Sequence, residues 1–190
     1  MTILSAKIVA RFHRITPRTD EMSAALTNGS NVVWRCPTYG GGLPHDLVHA
    51  VVEPAFGLVH ALWGRVARGI DPSVANARRA WARDAEHAEL LVAEGLAAVH
   101  WFDPLESGAS QCASIAESCR SFGVEPPAST TDADRAELVI EVLRRLRARW
   151  RESGSEDGRA VMELELAPTE PEASFARIAR GEAITIRDTR

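Results

Sequence analysis

His45, His49 and Glu53 recur at four-residue intervals in the stretch Leu43-Pro44-His45-Asp46-Leu47-Val48-His49-Ala50-Val51-Val52-Glu53. On an α-helix a four-residue step turns the chain by only about 40° about the axis, so both imidazoles and the carboxylate fall on one stripe. Such a set can supply three ligands to a divalent ion, Zn²⁺ above all, and leave a fourth position for water. Water bound there is acidified into a nucleophile near neutral pH, and the ion polarises a carbonyl or phosphoryl oxygen. The expected chemistry is metal-assisted hydrolysis of a small molecule. His45, His49 and Glu53 are the expected metal ligands, and Asp46, His45 and His49 the expected catalytic set, with Asp46 as base or as outer partner of the ligands.

The same cluster supports two other chemistries. Imidazole titrates near neutrality, so His45 or His49, oriented by Asp46 or Glu53, could move a proton without any metal, as in a lyase, cyclase or isomerase. In a non-catalytic helical interaction protein the cluster would only cap and pack its helix.

Further candidates are weaker. Cys36 lies in a strand-like setting that favours a buried thiol over a fourth ligand. His60 stands alone. Asp84, His87 and Glu94 share one side of a long helix, where charged residues are expected to form a solvated face. His100, beside Trp101 at a helix end, is expected to cap or pack. Gly40 to Gly42 precede a helix without the lysine and hydroxyl residue of a P-loop, so a turn is expected. Arg144, Arg145, Arg147, Arg149 and Arg151 read as an exposed helical face.

The elements that must position this cluster are legible in outline. Lys7 to Phe12 and Asn31 to Cys36 read as two strands separated by a polar stretch containing Asn28 and Gly29. The motif helix should run from about Pro44 to Glu53, because proline suits a first turn and Pro54 disfavours helix before it. A second helix is expected over Leu58 to Arg68. A third opens at Asp71-Pro72 and continues to about His100, burying Val74, Ala77, Trp81, Ala85, Ala88 and Val92. Asp103 to Thr130 reads mainly as loop, with a short helix from Cys112 to Phe122. Thr131 and Asp134 resemble a capping box ahead of a helix that places Val139, Val142, Leu143, Leu146 and Trp150 at helical spacing. Ala160 to Leu166 alternates like a strand, and Ala183 to Ile186 reads as a final one. The expected class is α+β, a mainly helical core with a small antiparallel sheet built from N- and C-terminal strands, in a single domain spanning residues 1–190.

Two resemblances attach to these residues. The His45-Asp46-Leu47-Val48-His49 segment resembles the zincin metallopeptidase helix, in which a glutamate beside the first histidine is the general base. Asp46 stands at that place here, and its shorter side chain holds the carboxylate farther from a bound water, which argues against peptidase chemistry. The wider stretch, with Glu53, Leu58, Trp63 and Gly64, is similar to a group of small bacterial proteins of uncharacterised activity, in which terminal strands flank a His-Asp-x-x-His-x-x-x-Glu helix. That resemblance implies the architecture and the histidine helix as the working site.

Composition narrows the partners. A net charge of −4 gives no general attraction to nucleic acid, so none is expected as partner. No apolar run approaches the ~18 residues that span a bilayer, so no membrane association is expected. Three cysteines at irregular spacing suit reduced thiols, and the expected location is cytoplasmic. The Trp63 and Trp81 helices offer faces for a homodimer, though core packing is the simpler use of such rings.

Overall fold

The computed structural model describes residues 7–38, 42–72, 87–101 and 108–189. Strands β1 (Ile8–Thr16), β2 (Thr19–Ala25), β3 (Asn31–Pro37), β4 (Ala160–Leu166) and β5 (Ile184–Asp188) form one sheet in the order β3-β2-β1-β4-β5. Every neighbouring pair is antiparallel. The described helices are α1 (His45–Ala55), α2 (Leu62–Ala67), α3 (His87–Trp101), α4 (Gly108–Ser121), α5 (Ala133–Glu152) and α6 (Pro171–Arg180). The α+β class expected from the sequence is what the chain adopts, with the sheet drawn from both ends. Among the described residues no helix is long and apolar enough to cross a membrane.

Period-two alternation gives the sheet one buried face. Ile8, Ala10 and Phe12 of β1 turn inward with Met22 and Ala24 of β2, Val32 and Trp34 of β3, and Met162, Leu164 and Leu166 of β4. These side chains join α1, α3 and α5 in a continuous core. On the opposite face Glu163 is clamped between Arg11 and Arg187, each donating at 2.7 Å.

Strand β2, Thr-Asp-Glu-Met-Ser-Ala-Ala, was absent from the sequence expectation because its residues have poor strand propensity. Pairing on both sides and burial of Met22 and Ala24 override that preference. Asp20 also points inward, where it accepts from Arg14 at 2.8 Å. Arg14 further donates to the Thr38 hydroxyl at 2.9 Å and the Gly42 carbonyl at 3.0 Å. A buried ion pair therefore ties β1 to the chain entering α1.

Several boundaries differ from expectation for identifiable reasons. Helix α1 continues through Pro54 to Ala55, since a proline in the last turn forfeits a single backbone bond. Helix α4 starts at Gly108, whose amide donates to Glu137 at 2.7 Å, and is longer than the short helix expected there. The cap of α5 is Asp132, which accepts from the Arg135 amide at 3.0 Å, rather than a Thr131–Asp134 box. Helix α6 was not anticipated, although Pro171 opens it and Gly181 ends it at φ 78°. On α3 the buried face carries Leu90, Ala93, Leu96 and Ala97, while Ala88 is exposed. Val74, Ala77, Trp81, Asp84 and Ala85, and the Gly40–Gly41 part of the glycine run, lie outside the described residues.

Candidate metal centre

Helix α1 runs through the interior, and every residue from Asp46 to Ala55 is buried. Its apolar residues, among them Leu47, Val48, Val51 and Val52, hold it in the core and fix the rotation of its polar stripe. His45 and His49 lie next to each other on that stripe, with ring centroids 4.7 Å apart. The Trp101 ring packs edge-on against His45, also at 4.7 Å, and its indole donates to the Leu43 carbonyl at 3.0 Å.

Each imidazole is held from behind by a carboxylate. His49 Nδ1 lies 2.9 Å from Glu53 Oε1, and His45 Nδ1 lies 3.3 Å from Asp46 Oδ1. An ionised carboxylate only accepts, so beside charged Asp46 and Glu53 each Nδ1 donates, although burial raises the Glu53 pKa. Both Nε2 atoms then face the same carboxylate oxygen, Glu94 Oε2 on α3, at 3.7 Å each. Ligand atoms of His45, His49 and Glu94 all lie within 4.8 Å of one another, a grouping that could hold a metal ion.

Glu53, expected as the third ligand, lies outside the His45–His49–Glu94 grouping and accepts from His49 Nδ1. Its second task is to cap α2: Oε1 accepts from the Leu62 amide at 3.1 Å and Oε2 from the Trp63 amide at 2.9 Å. With three donors on two oxygens and almost no exposure, this carboxylate is committed. Helix α2 reaches it because Gly64 lies against the Val59 carbonyl, where any Cβ would collide with backbone. A Gly64→Ala substitution is expected to lower unfolding stability in urea by about 2 kcal/mol, the usual scale of overpacking in a closed site.

Asp46 likewise acts from behind. Its Oδ2 accepts from Trp34 Nε1 at 2.7 Å and from the Cys36 thiol at 3.8 Å. Its backbone carbonyl accepts from Trp63 Nε1 at 3.1 Å. Burial disfavours its charge, but the hydrogen bond and charge of His45, the charge of His49 and the Trp34 donor outweigh that and keep its pKa low. Cys36, expected as a buried thiol, is half-buried: it donates to Asp46 and also lines the neighbouring cavity.

The electrostatics of the centre favour a cation. Burial alone would depress the His49 pKa, yet Glu53 on one side of the ring and Glu94 on the other lift it to about 10. Glu94, for which burial also disfavours charge, is held ionised by the two imidazoles. The field that retains a proton on His49 is the field a divalent ion would meet.

Glu94, a weaker candidate expected on the solvated face of another helix, is the third member of the cluster. The available signal was the mixture on that face: His87, Leu90, Leu91 and Glu94 follow helical spacing, and two leucines between titratable residues do not make a surface stripe. These residues line a cavity of about 400 Å³ with Trp34, Cys36, His45, Asp46, Leu62 and Pro72. His60 is not in the cluster and its amide donates to Glu89 at 3.0 Å. His100 has the packing role expected of it, with Nδ1 donating to the Leu96 carbonyl at 2.8 Å. Arg147, read as exposed, is buried and donates to the His100 and Trp101 carbonyls at 2.7 and 3.0 Å. Trp63 is buried in the core against Phe12 and Trp34, the packing use expected of such a ring.

Against family models, curated proteins and solved structures the chain gives no match, so its own site geometry carries the functional reading.

Proposed function

We propose that this chain is a metal-dependent hydrolase acting on a small molecule, with Zn²⁺ held by His45, His49 and Glu94. The observation that carries the reading is His49 Nε2. It is buried, has no hydrogen-bond partner among the described residues, and faces Glu94 beside His45, while Nδ1 of the same ring is clamped by Glu53. A buried polar atom is rarely left unsatisfied without a purpose, and a carboxylate behind a histidine is the usual outer partner of a metal ligand.

Two imidazoles and a carboxylate suit zinc and leave room for water or substrate. When bound, the ion supplies an acidified water and a Lewis acid. The protein's own part is positional. Asp46 and Glu53 fix the tautomers and ring planes of His45 and His49, and Trp34, Cys36 and Trp63 hold Asp46 in turn. The cavity lined by His45, Asp46 and Glu94 is where a substrate would enter. Free Cys36, Cys112 and Cys119 support a reducing, cytoplasmic setting.

Elemental analysis of untagged protein after dialysis against zinc is expected to give close to one equivalent per chain, lost in a His45→Ala, His49→Ala double variant. Hydrolysis of small ester or amide substrates should stop on chelation and return with zinc. Metal-free protein that retains activity, and loses it on His49→Ala, would replace this reading with proton transfer by the same histidines.

A further inference from the structure

The two histidines of the centre are held unequally. His49 is fully buried, and its Nδ1 lies 2.9 Å from Glu53. The His45 side chain is 23% exposed, and its Nδ1 lies 3.3 Å from Asp46, at the long end for such a bond. Asp46 alone therefore holds the His45 ring loosely, whereas a ligand must stay within about 0.5 Å of its working position. The other group against this ring is Trp101, in an edge-on contact with centroids 4.7 Å apart.

Trp101 is itself anchored. Its indole donates at 3.0 Å to the carbonyl of Leu43, two residues ahead of His45, and its own carbonyl accepts from buried Arg147 at 3.0 Å. It follows Glu94 by seven residues on α3, two helical turns further along the same side. Helix α3 thus meets His45 twice, through Glu94 Oε2 at 3.7 Å from Nε2 and through the Trp101 ring. We infer that Trp101 is the positioning residue for His45, its ring fixing the imidazole plane so that Nε2 stays beside Glu94 and His49. This rests on the zinc reading and adds to it the group that preorganises the less firmly held ligand. Trp101 acts through His45 and has no contact of its own with the ion.

Two variants separate the ring from the indole bond. Trp101→Phe keeps an aromatic ring, Trp101→Met fills the space without one, and both lose the donor to Leu43. Competition against a zinc indicator should show Trp101→Met binding about tenfold more weakly than the wild type, the scale expected for loss of a group that orients a ligand, and Trp101→Phe within about threefold of it. Urea midpoints of the metal-free chains should fall in both, since both forfeit the indole bond. Cobalt(II) supplies a readout that lost stability alone would not move. At saturating cobalt the visible ligand-field bands should match the wild type in Trp101→Phe and shift in Trp101→Met, because they report ligand geometry. Trp101→Leu takes the place of Trp101→Met if the latter does not fold. A ringless variant with wild-type zinc affinity or wild-type cobalt bands overturns the inference while leaving the metal centre standing, and so does a loss in Trp101→Phe as large as in Trp101→Met. A wild-type chain that binds no zinc overturns both.

Discussion

Glu94→Gln is expected to weaken zinc binding by more than a hundredfold while changing unfolding stability by about 1 kcal/mol or less. Loss of an outer partner typically costs about 10- to 100-fold in metal affinity, and loss of a ligand should cost more. The small stability effect follows from the position of Glu94. Its side chain is 39% exposed, and its nearest approaches to His45 and His49 are 3.7 Å, too long for a strong hydrogen bond. A partly solvated ion pair of that kind contributes little to folding. Competition against a zinc indicator measures the first quantity, and urea unfolding of the metal-free protein the second. Unchanged zinc affinity in this variant would remove Glu94 from the centre.

Glu53→Ala is expected to show the reverse weighting, with stability falling by about 3 to 5 kcal/mol, as when one partner of a buried charged network is removed. The substitution orphans the Leu62 and Trp63 amides and His49 Nδ1 together, all of which donate to this carboxylate within 3.1 Å. Loss of the α2 cap also frees Trp63, whose indole supports Asp46. Zinc affinity should then decline by about 10- to 100-fold in whatever fraction remains folded, because His49 loses its orienting group. Glu53→Gln keeps one acceptor oxygen and should fall between the wild type and Glu53→Ala in urea. A Glu53→Ala chain as stable as the wild type, with its zinc gone, would restore Glu53 to the ligand set.

This division of labour between the two glutamates marks where local sequence stops being informative. The His45/His49 pair was legible because its geometry is internal to one helix, and the flanking strands because Phe12, Trp34 and Leu164 alternate with polar neighbours. Spacing alone placed Glu53 on the same stripe, but spacing carries no information about what else donates to its oxygens. The Leu62 and Trp63 amides arrive from a turn whose path depends on Gly64 and on the packing of Trp63 against Phe12. Glu94 depends on how α3 crosses α1, which tertiary packing decides. Strand β2 was hidden for the same reason, since Asp20 has poor strand propensity until Arg14 stands opposite it inside the core. Helix α6, in contrast, carried ordinary signals in Pro171 and Gly181 that sequence reading could have used.

In the proposed centre two carboxylate-backed histidines and a third residue from a different helix converge on one cation. Diffraction from zinc-soaked crystals, recorded on both sides of the zinc absorption edge, tests it most directly. One strong anomalous peak is expected at about 2.0 to 2.2 Å from His45 Nε2, His49 Nε2 and a Glu94 carboxylate oxygen, with Glu53 still bonded to the Leu62 and Trp63 amides. A peak bonded to Glu53, or no peak between the two imidazoles and Glu94, would contradict it.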